Sequence, residues 1–408
     1  MVQDPVRVAF VGCGGMSREH LSAWRALHGR GARFEVVAAA DPAVALAEGA
    51  AAAAAQWQGR PVAVHADWRR MLEECHPDAV DVCTPHDLHH EVAAGCMEAG
   101  ADVIVEKPLA VTLRAGRRML AAARRHGRIL ATAEQVRRWP GSRALAWAAG
   151  GSLLGRPLLA SIQFVGGSRR DPEAADRPGP MPWRLDRRRS GGGVAIDIGV
   201  HMADLLLYCF GPIRRVTATC ALWADRPFAD GRTPDVEDAM QILLEFESGM
   251  HCTWAHASVL CGQALHTNAY YGTRGSIASA GFYPTAPRWQ RWDGQETLEP
   301  EALIGRCLDA LPAEERERLF PGWLCPDPLH PQAGGDIGVQ LELAEFLEAV
   351  RTRRAPEVGG AEGYAAQAVA AAILESGHLG GQPLLVDDVA SGRISRYQDP
   401  LDAALGLA

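Results

Sequence analysis

Four short clusters in this 408-residue chain combine groups that exchange protons with groups that hold phosphates. The first is Gly12-Cys13-Gly14-Gly15-Met16-Ser17, which keeps the G-x-G-x-x-G spacing with Ser17 in place of the third glycine. Gly12 permits a tight turn and Gly14 lets the backbone approach a pyrophosphate, while the N-terminus of the following helix, opened by Gly15 and Met16, stabilises its charge. The others are Thr84-Pro85-His86-Asp87-Leu88-His89, Glu106-Lys107-Pro108, and Asp197-Ile198-Gly199-Val200-His201-Met202-Ala203-Asp204. Oxidising a secondary alcohol removes a proton from oxygen as hydride leaves carbon, and an imidazole titrates in the right range for that transfer. His201 is the candidate acid/base, and Lys107 the cation that orients the hydroxyl and stabilises its developing charge. Asp197 holds the hydroxyl or the Lys107 ammonium. Lys107 as the base is the alternative assignment.

The elements that must position these groups alternate along residues 6–140. Apolar runs (VRVAFVG, FEVVAAAD, PVAVHAD, AVDVCTP, DVIVEKP, RILATAEQ) are separated by helical stretches. Strands that are apolar throughout and alternate with helices predict a doubly wound parallel sheet covered on both faces. Ligands bind at the carboxyl ends of such strands, where Thr84, Pro85, His89, Glu106 and Lys107 fall. The second strand ends at Asp41, whose carboxylate can accept hydrogen bonds from a ribose and repels a 2′-phosphate, so NAD is favoured over NADP. Arg30 and Arg33 are the cations that could weaken that preference. After residue 140 successive strand-like runs follow one another, with a turn at Glu247-Ser248-Gly249, and predict a large, mostly antiparallel open sheet in an α+β domain. One helix, GGGVAIDIGVHMADLLLYCFG, interrupts them and would carry Asp197, His201 and Asp204 on one face. The expected division is a Rossmann domain over 1–138 and a substrate-binding and oligomerisation domain over 139–408. The Gly- and Pro-rich stretch 166–182 reads as a loop at the site mouth, 284–334 stays unassigned, and helices are expected near 336–353 and 361–376.

Taken in order, G-C-G-G-M-S, T-P-x-x-x-H, E-K-P and G-G-G-x-x-x-D-x-G-x-H-x-x-D resemble the glucose-fructose oxidoreductase, inositol dehydrogenase and rhizopine catabolism (Gfo/Idh/MocA) family. Val236-Glu237-Asp238 and Gly272-Thr273-Arg274-Gly275-Ser276 extend the match. The resemblance implies a bound nicotinamide cofactor and a catalytic trio of Lys107, Asp197 and His201. It places substrate contacts at Gln135 and Arg137, with Arg138 one position away, and cofactor or substrate contact at Trp183 and Arg184.

Composition narrows the rest. A net charge of −8 gives no field for a nucleic acid, and no apolar run has the 18 residues that span a membrane, so a cytoplasmic protein is expected; the family resemblance implies a small carbohydrate-like substrate. The ten cysteines form no C-x-x-C pair, and Cys83, His86, His89 and His90 lack a completing ligand pair, so no metal is expected. The broad second sheet needs a cover, which predicts a homo-oligomer, dimer or tetramer. Two other readings stay open: redox-assisted glycoside cleavage with transient hydride transfer, and a dinucleotide-binding sensor.

Overall fold

Val6–Val11 is apolar at nearly every position, as a strand buried on both faces must be, and in a computed structural model of the protein it lies inside a parallel sheet. The structure describes residues 4–151, 153–166, 182–223, 233–257, 259–260, 262–281, 283–331 and 335–407. The first elements are β1 (Val6–Val11), α1 (Gly15–Gly29), β2 (Phe34–Ala40), α2 (Val44–Gln58), β3 (Ala63–His65), α3 (Trp68–Cys75) and β4 (Ala79–Val82). They continue with α4 (His89–Glu98), β5 (Asp102–Glu106), α5 (Leu113–His126) and β6 (Leu130–Ala133). The strands pair in parallel in the order β3-β2-β1-β4-β5-β6. The order reverses between β1 and β4, which puts the glycine turn after β1 beside the Cys83-Thr84 turn, where doubly wound folds take their ligands. Helix α1 buries Leu21, Trp24 and Leu27 on one stripe; each such side chain contributes roughly 1.5–3 kcal/mol.

The chain continues through α6 (Pro140–Gly150), β7 (Pro157–Val165), α7 (Arg187–Ser190), α8 (Val194–Asp197), α9 (Gly199–Phe210), β8 (Ile213–Ala221), β9 (Ala239–Phe246), β10 (His251–Ala257), β11 (Leu265–Gly272) and β12 (Gly275–Ala280). After these come β13 (Arg288–Arg291), β14 (Thr297–Leu298), α10 (Pro300–Ala310), α11 (Ala313–Leu319), α12 (Ile337–Thr352), α13 (Gly360–His378) and β15 (Leu384–Leu385). Among the described residues these strands form a nine-stranded sheet in the order β14-β13-β12-β11-β7-β10-β9-β8-β15. Every pairing is antiparallel except that of β10 with β7. Strict alternation sends Ile162, Trp254, Ile242 and Tyr270 into the core, while Leu159, Leu243 and Tyr271 face the other way. Phe210 of α9 packs on Tyr270 and Phe246, so this helix lies on the buried face.

Two compact units result. One comprises residues 1–110, 114–138 and 314–364; the other comprises 111–113, 139–313 and 365–408. The expected assignment of everything after 139 to the second domain is therefore corrected for 314–364. The cause is chemical: α12 buries Val339, Leu341, Leu343, Phe346 and Leu347 and packs on α1. Glu345 of α12 forms an ion pair with Arg138 at 2.7 Å, and the Thr132 amide donates to the Val358 carbonyl at 3.0 Å.

Two further readings change. The single helix expected over 191–211 is broken: α8 ends at Asp197, α9 begins at Gly199, and the run Arg187–Asp197 meets α9 at a 46° bend. Asp197 and His201 therefore do not share a continuous helical face. The unassigned 284–334 stretch contains a short hairpin and helices α10 and α11. Of the loop expected over 166–182, residues 167–181 lie outside the described residues. No single described helix is long and apolar enough to cross a membrane.

Candidate active site

In the first unit, Gly12 sits at φ +85°, and a Cβ there would lie 2.7 Å from the Cys83-Thr84 backbone, so the turn closes only on glycine. A Cβ on Gly14 would meet nothing within 4 Å, and no side chain caps α1 and no acid occupies its first turn. The open backbone and uncapped helix N-terminus therefore match an anion. Ser17 and Thr84 add buried hydroxyl oxygens without a hydrogen-bond partner among the described residues. Asp41 closes the other end of the turn, accepting from the Cys13 amide and the Ala43 amide, each at 2.8 Å. These residues fit a dinucleotide with an unphosphorylated ribose. Arg30 is drawn to the Leu324 carbonyl. Burial, aided by Asp41 and Asp81, pushes the Cys13 thiol up to about 12, so it stays protonated beside the turn.

Lys107 follows the last residue of β5 and is half-buried. It is held from both sides. Glu106 accepts from His20 at 3.1 Å, and the Pro108 carbonyl lies 2.9 Å from His89 Nδ1. His89 was expected among the cofactor ligands. It has no exposed surface and its Nε2 lies 3.0 Å from the Thr84 carbonyl, so it braces the two turns from behind. Burial pulls its basicity down, although both carbonyls and the neighbouring acids oppose this. Val136–Arg138 forms a 3-10 turn after β6, with Arg137 buried and Gln135 half-buried just before it. Arg138 is committed to Glu345, which separates it from the expected role of Arg137.

In the second unit, Glu237 builds the start of α8. Its carboxylate accepts from the Gly193 amide at 2.9 and 3.0 Å and from the Ala195 amide at 2.9 Å. A Cβ on Gly193 would lie 1.8 Å from the Glu237 carbonyl, which explains the third glycine of the G-G-G turn. The helix delivers Asp197, whose carboxylate accepts from Arg184, and the Arg184 guanidinium lies 4.9 Å from the Trp183 ring centroid. Arg184, expected at the cofactor or substrate, thus contacts the candidate catalytic carboxylate. On α9, His201 is buried with its ring edge-on to Tyr283 at 5.9 Å, and Asp204 is buried one turn further.

Neighbouring strands add a layer that the sequence reading missed. Phe164 stacks between His256 and His266, with centroid separations of 4.8 and 4.1 Å. Burial, reinforced by His266, pushes the His256 imidazole down to about 4 against the opposing pull of Asp197. The signal was available: Phe164, His256 and His266 occupy inward positions of three strands whose other inward residues, Asn268 apart, are apolar.

Comparison with known proteins decides the family. Residues 6–134 match the oxidoreductase family with NAD-binding Rossmann fold, and residues 146–278 match the GFO/IDH/MocA C-terminal domain. The chain belongs to the Gfo/Idh/MocA oxidoreductases. The resemblance read from the motifs is thereby borne out, as are the Rossmann sheet followed by a mostly antiparallel one and the assignment to oxidoreductases of CH–OH groups. The first unit is an NAD-binding domain of this family. Levoglucosan dehydrogenase of Pseudarthrobacter phenanthrenivorans is 25% identical over 343 residues, 76% of this chain and 80% of the relative. The 1,5-anhydro-D-fructose reductase of Ensifer adhaerens is 33% identical over 241 residues, 57% of this chain and 68% of the relative. A levoglucosan dehydrogenase structure in complex with NADH and L-sorbose superposes with a TM-score of 0.76 at 24% identity, covering 94% of this chain and 99% of that one.

Proposed function

We propose that this Gfo/Idh/MocA member is an NAD-dependent dehydrogenase that oxidises a secondary alcohol, or reduces the matching ketone, of an uncharged sugar- or cyclitol-like substrate. The observation that carries this reading is Lys107. Of 41 lysine and arginine residues in the chain, it is the one lysine. A chain that uses arginine at every other cationic position keeps lysine where a compact ammonium able to exchange a proton is needed. His201 takes the proton from the reacting hydroxyl, Lys107 stabilises the alkoxide, and Asp197, itself held by Arg184, orients the polar groups around it. Gly12, Gly14, Gly15, Met16, Asp41, Thr84 and Pro85 are the residues that would hold NAD, which supplies the acceptor for the hydride leaving the carbinol carbon. Gln135 and Arg137 are proposed to contact substrate. The Phe164 face and the His256 imidazole, kept neutral by burial, suit the CH surface and hydroxyls of a polyol better than an anionic group.

Relatives named for levoglucosan, 1,5-anhydro-D-fructose, D-glucosides and inositol define the substrates to try. The test is NADH formation at 340 nm across anhydrosugars, methyl glucosides, free hexoses and inositols, with Lys107→Ala and His201→Ala as controls. Variants that turn over like the parent, or a parent that fails to quench NADH fluorescence on titration, would sink the reading. We also infer a homo-oligomer. Leu159, Leu243, Leu265 and Tyr271 are 40–56% exposed on one face of the second sheet, an apolar surface of the kind that a second copy covers. A monomeric sedimentation profile at micromolar concentration would refute it.

A further inference from the structure

The glycine turn and the Glu106-Lys107-Pro108 turn are tied together by one buried ring. His20 lies on the inward stripe of α1 with Ser17, Leu21, Trp24 and Leu27 and has no exposed surface. Its Nδ1 is 2.9 and 3.0 Å from the two oxygens of Asp81, and its Nε2 is 3.1 Å from Glu106 Oε1. The Trp24 indole N–H donates to Asp81 at 2.9 Å, Cys83 Sγ lies 3.5 Å from the same carboxylate, and Glu342 of α12 approaches Nε2 to 3.9 Å. A neutral imidazole has one donor and one acceptor nitrogen. Here both nitrogens face carboxyl oxygens, an arrangement that an imidazolium satisfies with both N–H groups donating. Burial alone would disfavour that charge, but Asp81 holds it, raising the His20 basicity well above the ordinary value. Burial raises the Glu342 carboxyl against the pull of His20 and Arg138, which disfavours a third negative charge beside the ring.

The members of this cluster sit at the ends that matter. His20 is five residues into the helix that begins at Gly15, Asp81 is two residues before the Cys83-Thr84 turn, and Glu106 directly precedes Lys107. We propose that His20 is a positioning residue, an imidazolium held between Asp81 and Glu106 that locks the cofactor-turn helix to Glu106 and so fixes where Lys107 is presented. The role of Lys107 itself rests on the dehydrogenase reading above; the lock does not. His20, Asp81 and Cys83 lie close enough together to share a metal ion instead. The Trp24 donor on Asp81 and the second acceptor at Glu106 favour the protonated ring.

Because the chain has one lysine, an amine acylation followed by peptide mass spectrometry reports on Lys107 alone among its side chains. The experiment combines that reading with nitrogen NMR of 15N-histidine-labelled protein, assigned by difference against His20→Asn. Both ring nitrogens of His20 are expected to be protonated at pH 8, with no stoichiometric zinc by elemental analysis. In His20→Asn and in Glu106→Gln, acetylation of Lys107 in the presence of NADH should change at least fivefold, with the double variant no further changed than the single ones. A neutral ring, a bound metal, an unchanged acetylation rate despite a lowered melting temperature, or additive effects would each overturn the proposal. If His20→Asn does not fold, Asp81→Asn and Glu106→Gln carry the same acetylation test, and the Glu106→Gln difference spectrum assigns the ring. A parent that fails to bind NADH would defeat the dehydrogenase reading, whereas the ring's protonation and the unliganded acetylation rates would still decide the lock.

Discussion

Replacing Lys107 with arginine keeps the charge and removes what is particular to lysine. The side chain grows by about one bond length, and its pKa above ~12 prevents proton exchange. The backbone has little freedom to absorb the longer group, because Glu106 is anchored by His20 and the Pro108 carbonyl by His89, each bond near 3 Å. The cation must then sit about 1 Å or more from its proper place, and a misplacement of that size costs about 10²-fold. Losing a well-aimed stabiliser of the alkoxide costs a similar factor, about 10²–10³. We therefore expect Lys107→Arg to lower kcat by about 10²–10³, or about 3–4 kcal/mol in the barrier, while the NADH dissociation constant changes less than about threefold. Stopped-flow NADH formation with fluorescence titration measures both. A Lys107→Arg enzyme with kcat within threefold of the parent would refute the claim that this position needs lysine.

Four other outcomes follow from the geometry. Asp41→Ala removes the acceptor proposed for the ribose and one clasp on the Cys13 amide, so NADH should bind about tenfold more weakly and the preference over NADPH should shrink; an unchanged NADH/NADPH ratio speaks against the Asp41 assignment. Gly193→Ala would force a Cβ to 1.8 Å from the Glu237 carbonyl, and should cost about 3 kcal/mol of stability or prevent folding, read by urea denaturation. His20 is raised in the folded state, so its stabilisation is complete below pH 6.5 and is lost as pH climbs through the folded value. Asp81, Glu106, Cys83 and Glu342 face it, with Arg138 and Glu134 acting on Glu342, whose raised carboxyl works in the same direction; the fall in urea midpoint from pH 6.5 to 8.5 should flatten in His20→Asn. His256 is depressed from 6.5 to about 4, so its contribution, about 3 kcal/mol, is present above pH 6.5 and lost as pH drops towards 4. His256→Phe should lose less stability than the parent between pH 7 and 4.5.

The parallel sheet was legible because its strands are apolar on both faces and its glycine turn stands at the first strand end. The family was legible because several weak motifs occur in one order. The break at Ile198 was not, because a helical spacing of Asp197, His201 and Asp204 looks the same in sequence whether or not the helix is continuous. Nor was the return of 314–364 to the first unit, since the amphipathic pattern of α12 shows that it buries a face without saying against what. The cluster around His20 left a faint mark: Asp81 is an acid within the otherwise apolar AVDV, and a charge in a fully buried strand demands a partner. That partner came from a helix sixty residues away in the chain. Glu237 was seen as a motif residue, but its work as the cap of α8 depends on backbone amides that no spacing reveals.

Hydride transfer between cofactor and carbinol carbon is the step that defines the proposed reaction. Stereospecifically 4-deuterated NADH should be incubated with the ketone of whichever polyol the parent enzyme oxidises, and the product examined by mass spectrometry and proton NMR. One deuterium bound to the new carbinol carbon, absent in Lys107→Ala and His201→Ala, is the predicted result. Deuterium retained on the cofactor from both the 4R- and the 4S-labelled isomer, or a cleaved glycoside formed with no net change in NADH, would contradict it.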